Sequence, residues 1–229
     1  NAMNFRKAIQ DEIHYFEEKL AEYKSRKLKV FASSSFQTHS IPMLHILAKI
    51  DSEIPVYFLN TRYHFPETLS YRDQIGEMLG LKIINIESPI SRIRQRNSSG
   101  NLLYTSDPDQ CCYLNKTLPM EPVLGNHDVW ISGVRKDQNA NRQNFEYEAE
   151  GAHNCLRFHP MLHWSKQMIW QYIREYNIPH HPLENEGYVS IGCEPCTRKM
   201  TFEDSDERGA RWQGLKKNEC GLHTELLSK

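Results

Sequence analysis

A chain of 229 residues with 28 Lys and Arg against 29 Asp and Glu, a formal net charge of −1, has no global field to recruit nucleic acid or an anionic membrane surface. With 39% hydrophobic and 25% charged residues it has the composition of an ordinary globular domain, long enough to bury a sizeable core. No apolar run approaches the roughly 20 residues that span a bilayer, so neither nucleic acid nor membrane is expected as a partner.

The leading "NAM" reads as a cloning remnant before a native methionine (residues 1–3), with no signal region after it, and a cytoplasmic location is expected. In residues 4–24, Phe5, Ile9, Ile13, Phe16 and Leu20 recur near helical spacing between charges, which predicts one amphipathic helix. Four short apolar, β-branched or aromatic runs follow: LKVFAS, PVYFLN, KIINIE and DVWISGV. Segments able to form helices come after the first three, SIPMLHILAKI and ETLSYRDQIGEMLG most clearly. Strand alternating with helix predicts an α/β fold, a doubly wound, mainly parallel sheet with helices on both faces.

Before the tandem cysteines, RIRQRNSSGNLLYTSDPD is polar and turn-rich and reads as a surface loop. In SKQMIWQYIREYN, Ser165 is the expected N-cap of a helix that places Met168, Ile169, Tyr172, Ile173 and Tyr176 on one face, with Pro179 and Pro182 ending it. From residue 183 to 229 the chain is rich in Gly, Cys and charge and shows little periodicity.

In doubly wound sheets, ligands sit beyond the carboxyl ends of the strands. The loop after the first predicted strand, Ser33 to Ser40, offers hydroxyls and main-chain N–H groups that suit either an anion cradle or a helix cap. The loop after the fourth groups Gly133, Arg135, Lys136 and Arg142, as an anion site or a solvated basic turn would. Of the six cysteines, Cys111 with Cys112 and Cys193 with Cys196 form two tight pairs. Thiolates so grouped bind zinc or an iron–sulfur cluster; adjacent cysteines are awkward around one tetrahedral zinc, whereas a [4Fe-4S] cluster takes them on different irons. Cys155 stands apart and is expected to pack in the core. In the terminal NECGLHTELLSK, Cys220 lies beside Lys216 and Lys217, the exposed and cationic setting that makes a thiol reactive.

Taken in order, SSSFQTHS, YFLNTRYHFPET, CCYLNK, WISGVRKDQNANR, IPHHPLENEGYVSIGCEPCTR, DERGARW and ECGLHTE resemble the adenylyl-sulfate and phosphoadenylyl-sulfate reductases of assimilatory sulfate reduction and cysteine biosynthesis, from about Val30 to Glu225. The resemblance implies an adenine-nucleotide alpha-hydrolase-like domain over 4–210 and a mobile tail over 211–229. It implies that Cys220 attacks the sulfur of adenylyl sulfate, expels AMP and forms an S-sulfocysteine, from which thioredoxin or glutaredoxin releases sulfite. Lys116, Arg208, Arg211 and His223 would surround the phosphosulfate as cations; Arg208 and Arg211, three apart, would face one anion from a single helical turn. Ser33, Ser35, Leu59, Gly133 and Arg142 would contact the nucleotide. Cys111, Cys112, Cys193 and Cys196 would ligate a [4Fe-4S] cluster that shapes electrostatics instead of feeding electrons to sulfite. A homo-oligomer is left open.

The chain departs from many relatives at Thr38 and His39, where an acidic pair is common, and at Asn60 and Arg62, where Asp-Thr-Gly is common. These changes bear on the choice between adenylyl sulfate, which the four cysteines favour, and its 3′-phosphorylated form, for whose extra phosphate Arg62, Arg135 and Lys136 are candidates. An ATP-using PP-loop adenylating enzyme is a competing reading, although its Ser-Gly-Gly-x-Asp-Ser loop is missing. A non-enzymatic, metal-stabilised nucleotide-binding module is another, and it leaves ECGLH and the arginine pair unexplained.

Overall fold

The computed structural model describes residues 4–199, 211, 212, 221–223 and 226. Helix α1, Arg6–Ser25, precedes a βα series: β1 Val30–Ser33, α2 Ile41–Ile50, β2 Val56–Leu59, α3 Pro66–Leu79 and β3 Ile83–Ile86. Each expected strand forms within its apolar run.

The stretch expected as one surface loop is partly helical. It holds a 3₁₀ turn, Arg92–Arg94, and a helical turn α4, Leu103–Ser106; α5, Pro108–Cys112, and α6, Leu118–Gly125, follow on either side of a π-helical turn, Tyr113–Thr117. Pro108, Pro119 and Pro122 mask these helices in the sequence, yet Pro108 sits in a first turn, where a missing N–H costs nothing, and Pro119 comes directly after the π-helical turn.

Strand β4, Val129–Ile131, is followed by two strands that the sequence reading missed, β5 Glu148–Ala149 and β6 Leu156–Phe158. Both are very short, and Arg157 interrupts the apolar run of β6. Helix α7, Lys166–Glu175, starts as expected, the Ser165 hydroxyl accepting from Met168 N at 3.2 Å. It ends before either proline, where Asn177 takes φ 49°.

The strands form one sheet in the order β3-β2-β1-β4-β6-β5, parallel except for β5. Side chains alternate across it. Ala32, Ile131 and Phe158 face α1, α2 and α7, packing on Phe16, Leu47 and Ile169, while Phe31 and Trp130 face α6 through Met120, Val123 and Leu124, with Cys155 and Leu226 in the same cluster. The reversal of strand order falls between β1 and β4. Loops after those two strands therefore diverge and open a crevice at their carboxyl ends. No helix among the described residues is long and apolar enough to cross a membrane.

Candidate active site

A cavity of about 150 Å³ opens at this crevice. Among the residues that line it are Ser33, Ser35, Leu59, Gly133 and Arg142, all expected to contact nucleotide, and Lys116, Arg211 and His223, expected to meet the phosphosulfate. Arg208 and Cys220 lie outside the described residues. Sequence separations of over a hundred residues thus converge at one end of the sheet.

The β1 loop is built tightly. Ser33 Oγ accepts from Trp130 Nε1 at 2.8 Å, and Ser34 Oγ accepts from Phe36 N at 3.1 Å. Phe36, fully buried, holds φ 54°, a left-handed conformation that costs a non-glycine residue free energy and recurs at ligand-binding turns. Gln37 Oε1 accepts from Ile191 N at 2.6 Å, tying this loop to the segment that carries Cys193. From the β4 loop, Arg142 enters with 5% of its surface exposed, Nη1 donating to Gln138 Oε1.

Arg211 is 6% exposed, and its guanidinium lies 4.5 Å over the Trp212 ring. It reaches this position past Gly192, where an added Cβ would overlap the guanidinium group. Its Nε is buried and has no acceptor among the described residues. A desolvated guanidinium N–H without an acceptor is costly, and an anion in the adjoining cavity would satisfy it.

His64, in the loop after β2, also lines the cavity, a role the sequence reading did not assign. Its Nε2 donates to the Leu59 carbonyl at 2.9 Å, so Nδ1, buried and without a partner among the described residues, is an acceptor. Burial pushes the His64 pKa down to about 4, against the opposing pull of the Leu59 carbonyl and with help from Lys116, Arg72 and Arg211. Its position just past a strand's carboxyl end was the available signal.

A second, narrow cavity of about 10 Å³ adjoins the first, and Cys111, Cys112, Cys193 and Cys196 all line it. Tyr63, Tyr104 and Trp212 supply aromatic walls. Cys193, Lys116 and Arg211 line both cavities. Lys116 projects from the π-helical turn directly after the cysteine pair, a wider turn that recurs at functional sites. Thr61 Oγ1 stands 3.2 Å from Cys193 Sγ, and Asn115 Nδ2 donates to Cys111 Sγ at 3.6 Å. Burial, and then the nearby Cys193 and Cys196, push the Cys111 thiol up to about 11, against the Asn115 hydrogen bond and the Lys116 charge. Among the described residues no three Cys, His, Asp or Glu side chains converge on one point closely enough to hold a single metal ion. Cys155 is fully buried beneath α6, in keeping with a packing role.

Thr38 and Arg62, expected to differ from the family pattern, and Arg135, a candidate for an extra phosphate, have structural partners. Thr38 Oγ1 donates to Glu184 at 2.5 Å and accepts from His181 N at 2.8 Å. Arg62 pairs with Glu87, and Arg135 with Asp137 at 2.9 Å. Arg62, Arg135 and Lys136 are not among the residues lining the larger cavity, whereas His39 is.

The model of the phosphoadenosine phosphosulfate reductase domain family matches residues 29–199. The chain is 34% identical over 203 residues to the adenosine 5′-phosphosulfate reductase of Bacillus cereus (strain Q1), covering 88% of this chain and 86% of that protein. It is 35% identical over 205 residues to the protein of the same name from Halalkalibacterium halodurans, covering 88% and 87%. Among solved structures it is similar to a phosphoadenylyl-sulfate (PAPS) reductase from Candida auris, with TM-score 0.66 and 18% identity, covering 85% of this chain and 98% of that one. An FMN adenylyltransferase from Candida glabrata superposes with TM-score 0.61 at 14% identity over 86% and 68% of the two chains. At those identities the structural likenesses speak for the fold alone.

Proposed function

Because the chain belongs to the phosphoadenosine phosphosulfate reductase domain family, a family of oxidoreductases acting on activated sulfate, we propose that it reduces adenylyl sulfate to sulfite and AMP in sulfate assimilation, with Cys220 as the nucleophile. The observation that carries this reading is the convergence of Lys116, Arg142, Arg211 and His223 with the Ser33 loop on one cavity at the strand-order reversal.

The chemical difficulty is bringing a thiolate to a sulfonate that already carries negative oxygens beside a phosphate. Lys116 and Arg211 offset that charge, and Arg211 has a buried Nε awaiting an acceptor. Preorganised charge of this kind is usually the largest catalytic contribution, because it needs no reorganisation as the reaction proceeds. Arg142 and the Ser33 and Ser35 loop hold the nucleotide side, with main chain at Leu59 and Gly133.

The Cys220 thiolate attacks the sulfate sulfur. One S–S bond forms, the S–O bond to the AMP phosphate breaks, and AMP leaves with that electron pair. A dithiol of the thioredoxin or glutaredoxin class then attacks Cys220 Sγ, releasing sulfite. Its second thiol resolves the mixed disulfide, so the dithiol is oxidised, Cys220 is restored and the sulfonate is reduced by two electrons. A reducing cytoplasm is the compartment in which such a cycle runs.

Cys111, Cys112, Cys193 and Cys196 fit a [4Fe-4S] cluster. Their thiols line one narrow cavity, and Lys116 and Arg211 stand beside them to balance the negative charge that a bound cluster would bring. A cluster bound there would supply an electrostatic setting and a structural tie between the α5 region and the segment around Cys193.

Adenylyl sulfate is the substrate in this reading, and none of Arg62, Arg135 and Lys136 lines the larger cavity where a 3′-phosphate would need a cation. The curated relatives named adenosine 5′-phosphosulfate reductase support the same choice.

The test is sulfite release from adenylyl sulfate by anaerobically prepared protein with a dithiol reductant. Cys220→Ser is expected to abolish release while retaining AMP binding and iron content. Normal turnover by that variant would overturn the assignment.

A further inference from the structure

Arg157, in the middle of β6, is 1% exposed, and the reaction above gives it no task. Its guanidinium carbon lies 4.5 Å from the centre of the Trp130 ring. Nη1 donates to the His223 carbonyl at 2.9 Å, and Nη2 stands 2.7 Å from His223 Nδ1. Trp130 also stacks on the His223 imidazole, with centroids 5.8 Å apart and planes at 17°, while its Nε1 is engaged by Ser33. Further along, Leu226 is 2% exposed among Phe31, Val123 and Trp130, and its carbonyl accepts from Ala152 N at 3.0 Å. Gly151 gives Arg157 its path: a Cβ there would overlap the Cys155 carbonyl oxygen and stand 2.9 Å from Arg157 Cγ.

A guanidinium group has donors only and keeps its proton. The short Nη2–Nδ1 contact therefore requires Nδ1 to accept, and the single proton of a neutral imidazole is left on Nε2. An imidazolium would set one N–H against another beside a fixed positive charge. We propose that Arg157 is a positioning residue that, helped by the Leu226 anchor, holds His223 against the sheet as its neutral Nε2–H tautomer. His223 then meets the phosphosulfate as a hydrogen-bond donor, where the sequence led us to expect a cation. The catalytic consequence rests on the phosphosulfate reading of the cavity; the tautomer follows from the Arg157 contact alone.

Two measurements test this separately. In protein labelled with ¹⁵N-histidine, the His223 signals, identified by their loss in His223→Gln, are expected to show a protonated Nε2 and a bare Nδ1 near neutral pH. A protonated Nδ1, alone or with Nε2, would overturn the proposal whatever reaction the protein catalyses. In single-turnover formation of the Cys220 adduct, Arg157→Met is expected to slow the step by about tenfold to a hundredfold, the usual scale for a displaced catalytic group. In the His223→Gln background the same change should cost nothing further, because Arg157 acts through His223. Effects that multiply would contradict that role. Should Arg157→Met fold poorly, Leu226→Ala is expected to slow the step in the same direction and to be equally silent in His223→Gln. Absence of any adduct in the unaltered protein would defeat the reductase reading and leave the tautomer to the first measurement.

Discussion

Arg211 comes against the backbone at Gly192 because that residue has no side chain. The pairing gives a residue-scale prediction. Gly192→Ala forces the guanidinium away from both cavities, and AMP affinity should fall about tenfold, the equivalent of about 1.4 kcal/mol, or one charge-assisted hydrogen bond. Unchanged affinity, measured by titration calorimetry, would mean that Arg211 does not contact the nucleotide phosphate.

His159 gives a second prediction at this scale. Only 2% exposed, it is pushed down to about 4 by burial and then by Arg157, with Arg142 adding to the shift and the Glu146 carbonyl opposing it. The unfolded chain takes up the proton near 6.5 while the folded chain refuses it, so this contribution to stability is present above that pH and is lost as pH falls toward 4. Between pH 7 and pH 5 it amounts to about 2 kcal/mol. Denaturant titrations at the two pH values should show His159→Gln losing less stability than the unaltered protein; an equal loss would contradict the assignment.

At the scale of elements, the strands that were legible are those whose apolar runs are continuous, as in Val30–Ser33 and Val129–Ile131. Strand β6 was hidden because its central residue is an arginine, and an arginine is buried in a sheet only when the fold brings it partners, here Trp130 and His223. The helices from Pro108 to Gly125 were hidden by prolines, of which Pro108 is tolerated in a first turn, Pro119 follows a π-helical turn and Pro122 lies inside α6. Helix α7 was legible because its signals are local. Its cap predicts that Ser165→Ala lowers stability by about 1 kcal/mol, since Met168 N loses its acceptor. A thermal midpoint unchanged within error would show that the cap contributes nothing.

At the scale of the molecule, the order of motifs along the chain pointed to the cavity, but not to how its walls are shared. Lys116, Cys193 and Arg211 line both the larger cavity and the four-cysteine cavity, and Gln37 and Ile191 tie the β1 loop to the CEPC segment beside them. Spacing within CEPC and CC suggested ligands; it carried no information about Gly192, His64 or Arg157, whose roles depend on neighbours far away in sequence. The parallel sheet and its reversal of strand order bring the larger cavity and the four-cysteine cavity side by side.

The most direct test of that account is intact-protein mass after anaerobically prepared protein is mixed, without any thiol, with adenylyl sulfate and separately with its 3′-phosphorylated form. The account predicts a gain of one SO₃ group, mapped to Cys220 and formed faster with adenylyl sulfate. No adduct with either substrate, from folded protein that binds AMP, would contradict it.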